Sequence, residues 1–163
     1  MKAIKLFLIS VFILGGVILV LSSLLPSHVR ISRAVDIDAS QGEISVFVSN
    51  LSNWKQWNSF VSDSLVQNPV FSPTRINSTQ LNVQLVSANM DSIITLWRKT
   101  DRNIKCGFQL IPSGKVTIVQ WYFDFDLKWY PWEKFASIIF DRQLGPYMER
   151  SLGNLKKLAE DLH

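Results

Sequence analysis

Asp124 and Asp126, two positions apart, are the residues best spaced for acid–base chemistry. Two carboxylates on one strand face can hold and pass on a proton when their surroundings separate their affinities. Both, however, fall on the polar side of an alternating stretch, so contact with water accounts for them better than catalysis does. Asp36 and Asp38 share a face in the same way and have the same reading. Histidine occurs only as His28 and His163, so no Ser–His or Cys–His pair is expected. Cys106 is the single cysteine, which excludes a disulfide framework and any multi-cysteine metal site. It stands on the apolar side of Ile104-x-Cys106-x-Phe108-x-Leu110 and reads as a buried, inert thiol. No His/Cys/Asp cluster has ligand spacing, so neither metal nor cofactor is expected. Catalysis would have to use Thr95, Thr117 or Tyr147, the few polar groups on faces that point inward. Lys99 shares a strand side with Thr95 and Trp97, which places a cation at the rim, suited to an amphiphile's head group.

These residues depend on one wall and one lid. Thr117, Val119, Trp121, Phe123, Phe125 and Leu127 alternate with Ile118, Gln120, Tyr122, Asp124, Asp126 and Lys128. Period two puts large apolar side chains on a single sheet face. Downstream, Leu144, Met148, Leu152, Leu155 and Leu158 form the inner stripe of a helix running to about Leu162. Upstream, the pattern predicts a strand over Val29–Asp38, whose apolar face Arg33 interrupts, snorkelling at the membrane end. Ser40 and Glu43 form a capping box before a helix bearing Ile44, Phe47, Val48 and Leu51. Trp54 and Trp57 lie on one side of a short second helix or turn. Residues 62–78 read as loop with one short strand at Val66–Phe71. Three hairpin strands follow: Gln80–Ala88, with Leu81, Val83 and Leu85 on one face, then Ser92–Thr100 and Ile104–Pro112. Their connecting turns include Asp101-Arg102-Asn103. After the aromatic strand, Trp132–Leu144 is helical in pattern, and Gly145-Pro146 either kinks it or starts the final helix. Trp129 and Trp132 lie in the turn before it, where tryptophan suits a packing corner, a pocket mouth or a bilayer-facing surface. The order is α+β: a curved antiparallel sheet wrapped around a terminal helix.

The amino-terminal end has another character. Leu6–Leu25 carries no charge and as a helix would span about 30 Å, the thickness of a bilayer's hydrocarbon. The run exceeds a usual signal-peptide core and no A-x-A site follows, which favours an uncleaved single-pass anchor. Residues 1–27 are thus expected to be a membrane anchor and 28–163 the folded domain. Lys2 and Lys5 on the short head favour an extracytoplasmic domain over the opposite orientation. The 17 basic residues less Lys2 and Lys5 leave 15 against 13 acidic ones, a net +2 for the domain. No basic run exceeds two residues, which argues against nucleic acid as a partner.

Two motifs resemble the helix-grip, START-like (SRPBCC) superfamily of polyketide cyclase/dehydrase and lipid-transport proteins. The first runs from Val35-Asp36-Ile37-Asp38-Ala39 through Ile44-x-x-Phe47-Val48 to Leu51-x-x-Trp54-x-x-Trp57-Asn58. The second runs from Gln120-Trp121-Tyr122-Phe123-Asp124-Phe125 to Leu144-Gly145-Pro146-Tyr147-Met148-Glu149 and on to Leu155-Lys156. The glycine-free stretch Pro73–Met90 departs from the family's pattern and leaves the second strand's pairing open. The resemblance implies a helix-grip fold and a pocket between sheet and final helix, and no single activity. The expected lining is Phe47, Trp97, Phe108, Thr117 and Val119, continued by Trp121, Phe123, Phe125, Tyr147 and Met148. Three functions compete: a membrane-tethered binder of a hydrophobic small molecule or lipid, a cyclase/dehydrase-type enzyme on a hydrophobic substrate, and a non-catalytic envelope interaction protein with a filled core. Binding is favoured, because the chain offers an apolar wall and little chemistry.

Overall fold

The capping box at Ser40 sets the first turn of the domain as the sequence requires. In a computed structural model, which describes residues 2–62, 66–99 and 102–161, the Ser40 hydroxyl accepts from the Glu43 amide while the Glu43 carboxylate accepts from the Ser40 amide. Two otherwise orphaned amides are thereby satisfied, and α2 (Gln41–Ser49) begins there. The element order is α1 (Lys2–Leu24), β1 (His28–Ile37), α2, a 3-10 turn (Leu51–Asn53), α3 (Trp54–Trp57) and α4 (Ser59–Ser62). Then come β2 (Val70–Phe71), β3 (Arg75–Asn77), β4 (Asn82–Ala88), β5 (Ser92–Lys99), β6 (Arg102–Ser113) and β7 (Val116–Asp126), before α5 (Pro131–Ser137) and α6 (Phe140–Glu160). Leu162, His163 and the Thr100–Asp101 part of the expected turn lie outside the described residues.

Every strand pairing is antiparallel, in the order β1-β7-β6-β5-β4-β3-β2. β7 sits between β1 and β6, so its inner face takes the centre of the wall, with Val35 opposite Val119 and Trp121 opposite Phe108. A bulge between Leu85 and Ser87 bends β4, as an extra residue on one strand does. The α6 stripe is buried as its period demands: Met148, Ser151, Leu152, Leu155 and Ala159 face the sheet and the short helices.

Three expectations need correction. Within the stretch 62–78, of which 63–65 lie outside the described residues, residues 66–78 are less irregular than their prolines suggest. β2 is shorter than Val66–Phe71, and β3 forms a hairpin with it, because Ser72 bonds both backbone groups of Arg75 and Ile76 is fully buried. Trp132–Leu144 is not one helix: the chain breaks at Ile138–Ile139, and Gly145-Pro146 lies inside α6. Pro146 falls in the second turn on the helix's exposed side, so the one amide bond it removes leaves its carbonyl partner near water. Arg33 does not snorkel. Its guanidinium reaches α6, pairing with Asp141 (2.9 Å) and Glu149 (2.7 Å), and hydrogen bonds to these two carboxylates raise its proton affinity. It lies across Gly145, where any Cβ would overlap it, and so clips β1 to the helix.

Candidate ligand cavity

The inner face of the sheet divides into a packed half and an empty half. In the packed half, Trp54, Trp57, Phe108 and Trp121 are essentially inaccessible and touch edge-on or stacked, with Phe108 and Trp121 5.0 Å apart at 17°. Each buried indole N–H is satisfied internally. Trp54 donates to the Val48 carbonyl and Trp57 to that of Phe47; Trp97 donates to the Thr95 hydroxyl and Trp121 to the Cys106 sulfur. These tryptophans therefore act as core and as hydrogen-bonded braces.

Phe60, on α4, is the divider. Its ring lies 5.3–5.7 Å from those of Trp97, Trp121, Phe123 and Tyr147. Beyond it lies a cavity of about 390 Å³, lined by Phe60, Val66, Leu81, Trp97, Ile104, Phe123 and Phe125 on one side and Phe140, Leu144 and Tyr147 on the other. Among the described residues, the polar groups that line it are Gln80, Lys99, Arg102, Gln143 and the Tyr147 phenol. Arg102 pairs with Glu133 of α5 at 2.8 Å, whereas Lys99 has no ion-pair partner among the described residues. Among the described residues, Lys99 is thus a cation without a paired carboxylate beside a hydrocarbon and aromatic lining.

Of the residues expected in the lining, the structure brings Trp97, Phe123, Phe125 and Tyr147 together around this cavity. Phe108, Val119, Trp121 and Met148 belong to the packed core, and Phe47 packs against it. Thr117 is buried at the far end, where its hydroxyl donates to the Ala39 carbonyl, and it edges a separate depression beside Ser40 and Lys115. The pattern reading did not place Phe60, Gln80, Phe140 and Gln143 in the lining. Phe60 had a signal, standing three residues after Trp57 and continuing the buried side of the short helices.

The candidate catalytic groups are held elsewhere. Asp124 is on the outer sheet face but is not solvent-facing, its side chain being 7% exposed. Arg30 donates to it from Nε (2.6 Å) and Nη2 (2.8 Å), and this pairing keeps the carboxyl below the usual aspartate range. The same guanidinium stacks on Tyr122, 4.2 Å from the ring centre, and Tyr122 covers Gly107, where a Cβ would collide with the ring. Asp126 is exposed and meets His28 at 2.9 Å. The outer face thus carries a cluster of paired side chains, Arg30 with Asp124 and His28 with Asp126. Burial pushes the Cys106 thiol up to about 12, which leaves it protonated and unreactive at neutral pH. Thr95 is tied to the Cys106 carbonyl and to Trp97. Among the described residues no three His, Cys, Asp or Glu side chains gather to hold a metal.

A family model described as polyketide cyclase / dehydrase and lipid transport matches residues 28–160. No curated protein matches the chain. Among solved structures, a START superfamily protein from Mycobacterium smegmatis is 18% identical, with a TM-score of 0.61 over 82% of this chain and 99% of that one. A protein from Rhodobacter sphaeroides is 15% identical, with a TM-score of 0.62 over 82% of this chain and 93% of its own. The di-domain ARO/CYC StfQ from the steffimycin biosynthetic pathway is 11% identical, with a TM-score of 0.62 over 82% of this chain and 51% of that one. At these identities the likeness is one of fold.

Proposed function

Since the chain belongs to the polyketide cyclase/dehydrase and lipid-transport family, we propose that it is a membrane-tethered binding module for a hydrophobic small molecule or lipid. Residues 1–27 are the anchor, and residues 28–163 are the domain that holds the ligand, on the extracytoplasmic side. The observation that carries this reading is the cavity of about 390 Å³, within the range of small-molecule sites and mostly apolar, with two amides, two cations and the Tyr147 phenol among its lining. A filled core, as an interaction subunit would have, fits that volume poorly. Turnover is the weaker reading as well: of Thr95, Thr117 and Tyr147, only Tyr147 lines the cavity. The anchor is supported by Ala3–Leu24, the one helix among the described residues long and apolar enough to cross a membrane. The apolar residues of this helix stand exposed rather than packed into the domain, as a lipid-facing surface requires.

The test is occupancy. Full-length chain purified in mild detergent is expected to release a hydrophobic compound on organic extraction, identified by mass spectrometry. Leu144→Trp, which puts an indole into the void, is expected to fold and to lose that compound. Overpacking of this kind costs about 1–3 kcal/mol when it strains its neighbours, less in a site with spare volume. Equal recovery from both proteins would place the compound outside the cavity and end the proposal.

A further inference from the structure

The folded domain starts almost where α1 ends. Only Leu25, Pro26 and Ser27 separate α1 from β1, a reach of at most about 11 Å. Even this link is held, because the Ser27 carbonyl accepts from the Leu127 amide at 2.8 Å. The Leu25 carbonyl accepts from the amine of Lys134, a buried side chain of α5, at 3.0 Å. α5 is therefore fixed against the carboxyl end of α1.

The outward surface of this region is apolar. Trp129, Trp132 and Ile138 are 71%, 67% and 62% exposed, and Ile139 and Phe135 are exposed as well. Trp132 stacks on Tyr130 at 4.8 Å, and Trp129 meets the same ring tilted, at 4.9 Å. Other exposed large apolar residues of the domain, such as Val46, Val86 and Met90, are dispersed over separate elements. Scattered apolar residues are ordinary on a surface, whereas five within eleven positions make a patch.

We propose that residues 129–139 form a foot seated in the headgroup region of the bilayer that α1 spans. This rests on the anchor reading above. The interfacial zone is about 5–8 Å deep on each side of the hydrocarbon. A helix pinned to the end of a membrane span cannot stand clear of so near a layer. The composition also suits it, since tryptophan and tyrosine place an apolar ring and a polar edge where lipid meets water. A second protein copy would have to reach the same patch across the lipid surface. The foot joins the cavity rim through the Glu133–Arg102 pair, and α6, whose Phe140 and Leu144 line the cavity, begins directly after Ile139. The site is thus held with its rim tied to the membrane surface.

Spin labels on the full chain in phosphatidylcholine/phosphatidylglycerol nanodiscs test this, with buried Cys106 left unlabelled. Labels at Trp132→Cys and Ile138→Cys are expected to be relaxed by oxygen and shielded from a water-soluble nickel reagent, like one at Phe12→Cys in α1. A label at Val46→Cys on α2 is expected to show the reverse. In the unsubstituted chain, lipids brominated near the glycerol are expected to quench part of the tryptophan emission, since only Trp129 and Trp132 are exposed. Foot labels as wet as Val46, with Phe12 in lipid, would overturn the foot and leave the anchor standing. Phe12 outside the lipid would overturn both. Dipolar broadening between foot labels of two chains, with no lipid quenching, would assign the patch to a second copy and overturn the proposal. None of these outcomes depends on whether the cavity holds a ligand.

Discussion

Asp124 and Asp126 have the same chemistry and opposite circumstances. The difference comes from β1, which lays Arg30 opposite Asp124 and His28 opposite Asp126. Because the folded-state carboxyl of Asp124 is depressed by Arg30, its stabilising effect is complete above the unfolded value of about 3.9 and disappears as pH falls through the lower folded value. Asp124→Asn is therefore expected to lose about 1.5 kcal/mol near neutrality, at the low end for a charged hydrogen bond because Arg30 is half exposed. The gap in melting temperature between the two proteins should hold down to about pH 5, narrow below about pH 4 and vanish once pH passes the lower folded value. A gap independent of pH in thermal melts would show that the ion pair contributes nothing. No period-two pattern could have shown this, since alternation gives the face and not what covers it.

At the scale of elements, most of the architecture was legible. The alternation from Val116 to Leu127 specified β7, the short polar turns specified hairpins, and Ser40 with Glu43 specified where α2 starts. Removing that cap with Ser40→Ala is expected to cost about 1 kcal/mol, read as a lower denaturant midpoint with unchanged slope. An unchanged midpoint would mean that packing alone sets the start of α2. What escaped the pattern was set by contacts distant in sequence. β3 exists because one buried isoleucine and one serine turn outweigh local proline content. The break after Ser137 depends on α5 being held by Lys134 to Leu25 and by Glu133 to Arg102. The division of the inner wall into core and cavity was beyond reach for a similar reason. Trp121 and Phe123 lie on the same strand face, and only the position of Phe60 puts Phe123 at the void and Trp121 in the core.

At the scale of the whole molecule, Cys106 offers a probe of the domain's integrity. It is fully buried beneath Trp121 at the middle of the sheet, and its thiol is raised to about 12, so the folded state should resist alkylation. Modification by iodoacetamide is expected to rise with denaturant in step with the change in tryptophan emission, because only global unfolding exposes the sulfur. Complete reaction of the native protein at the rate of a free thiol would contradict a packed inner half.

The three-residue link between α1 and β1 has a consequence for how a ligand travels. A carrier that ferries cargo between two membranes needs a long leash or none. With α1 in a bilayer, this domain has neither, so its cargo would have to arrive and leave at one surface. Such a protein is built as a fixed berth: it can lift a molecule out of its own leaflet or offer one to a visitor, while the crossing of open water falls to something else.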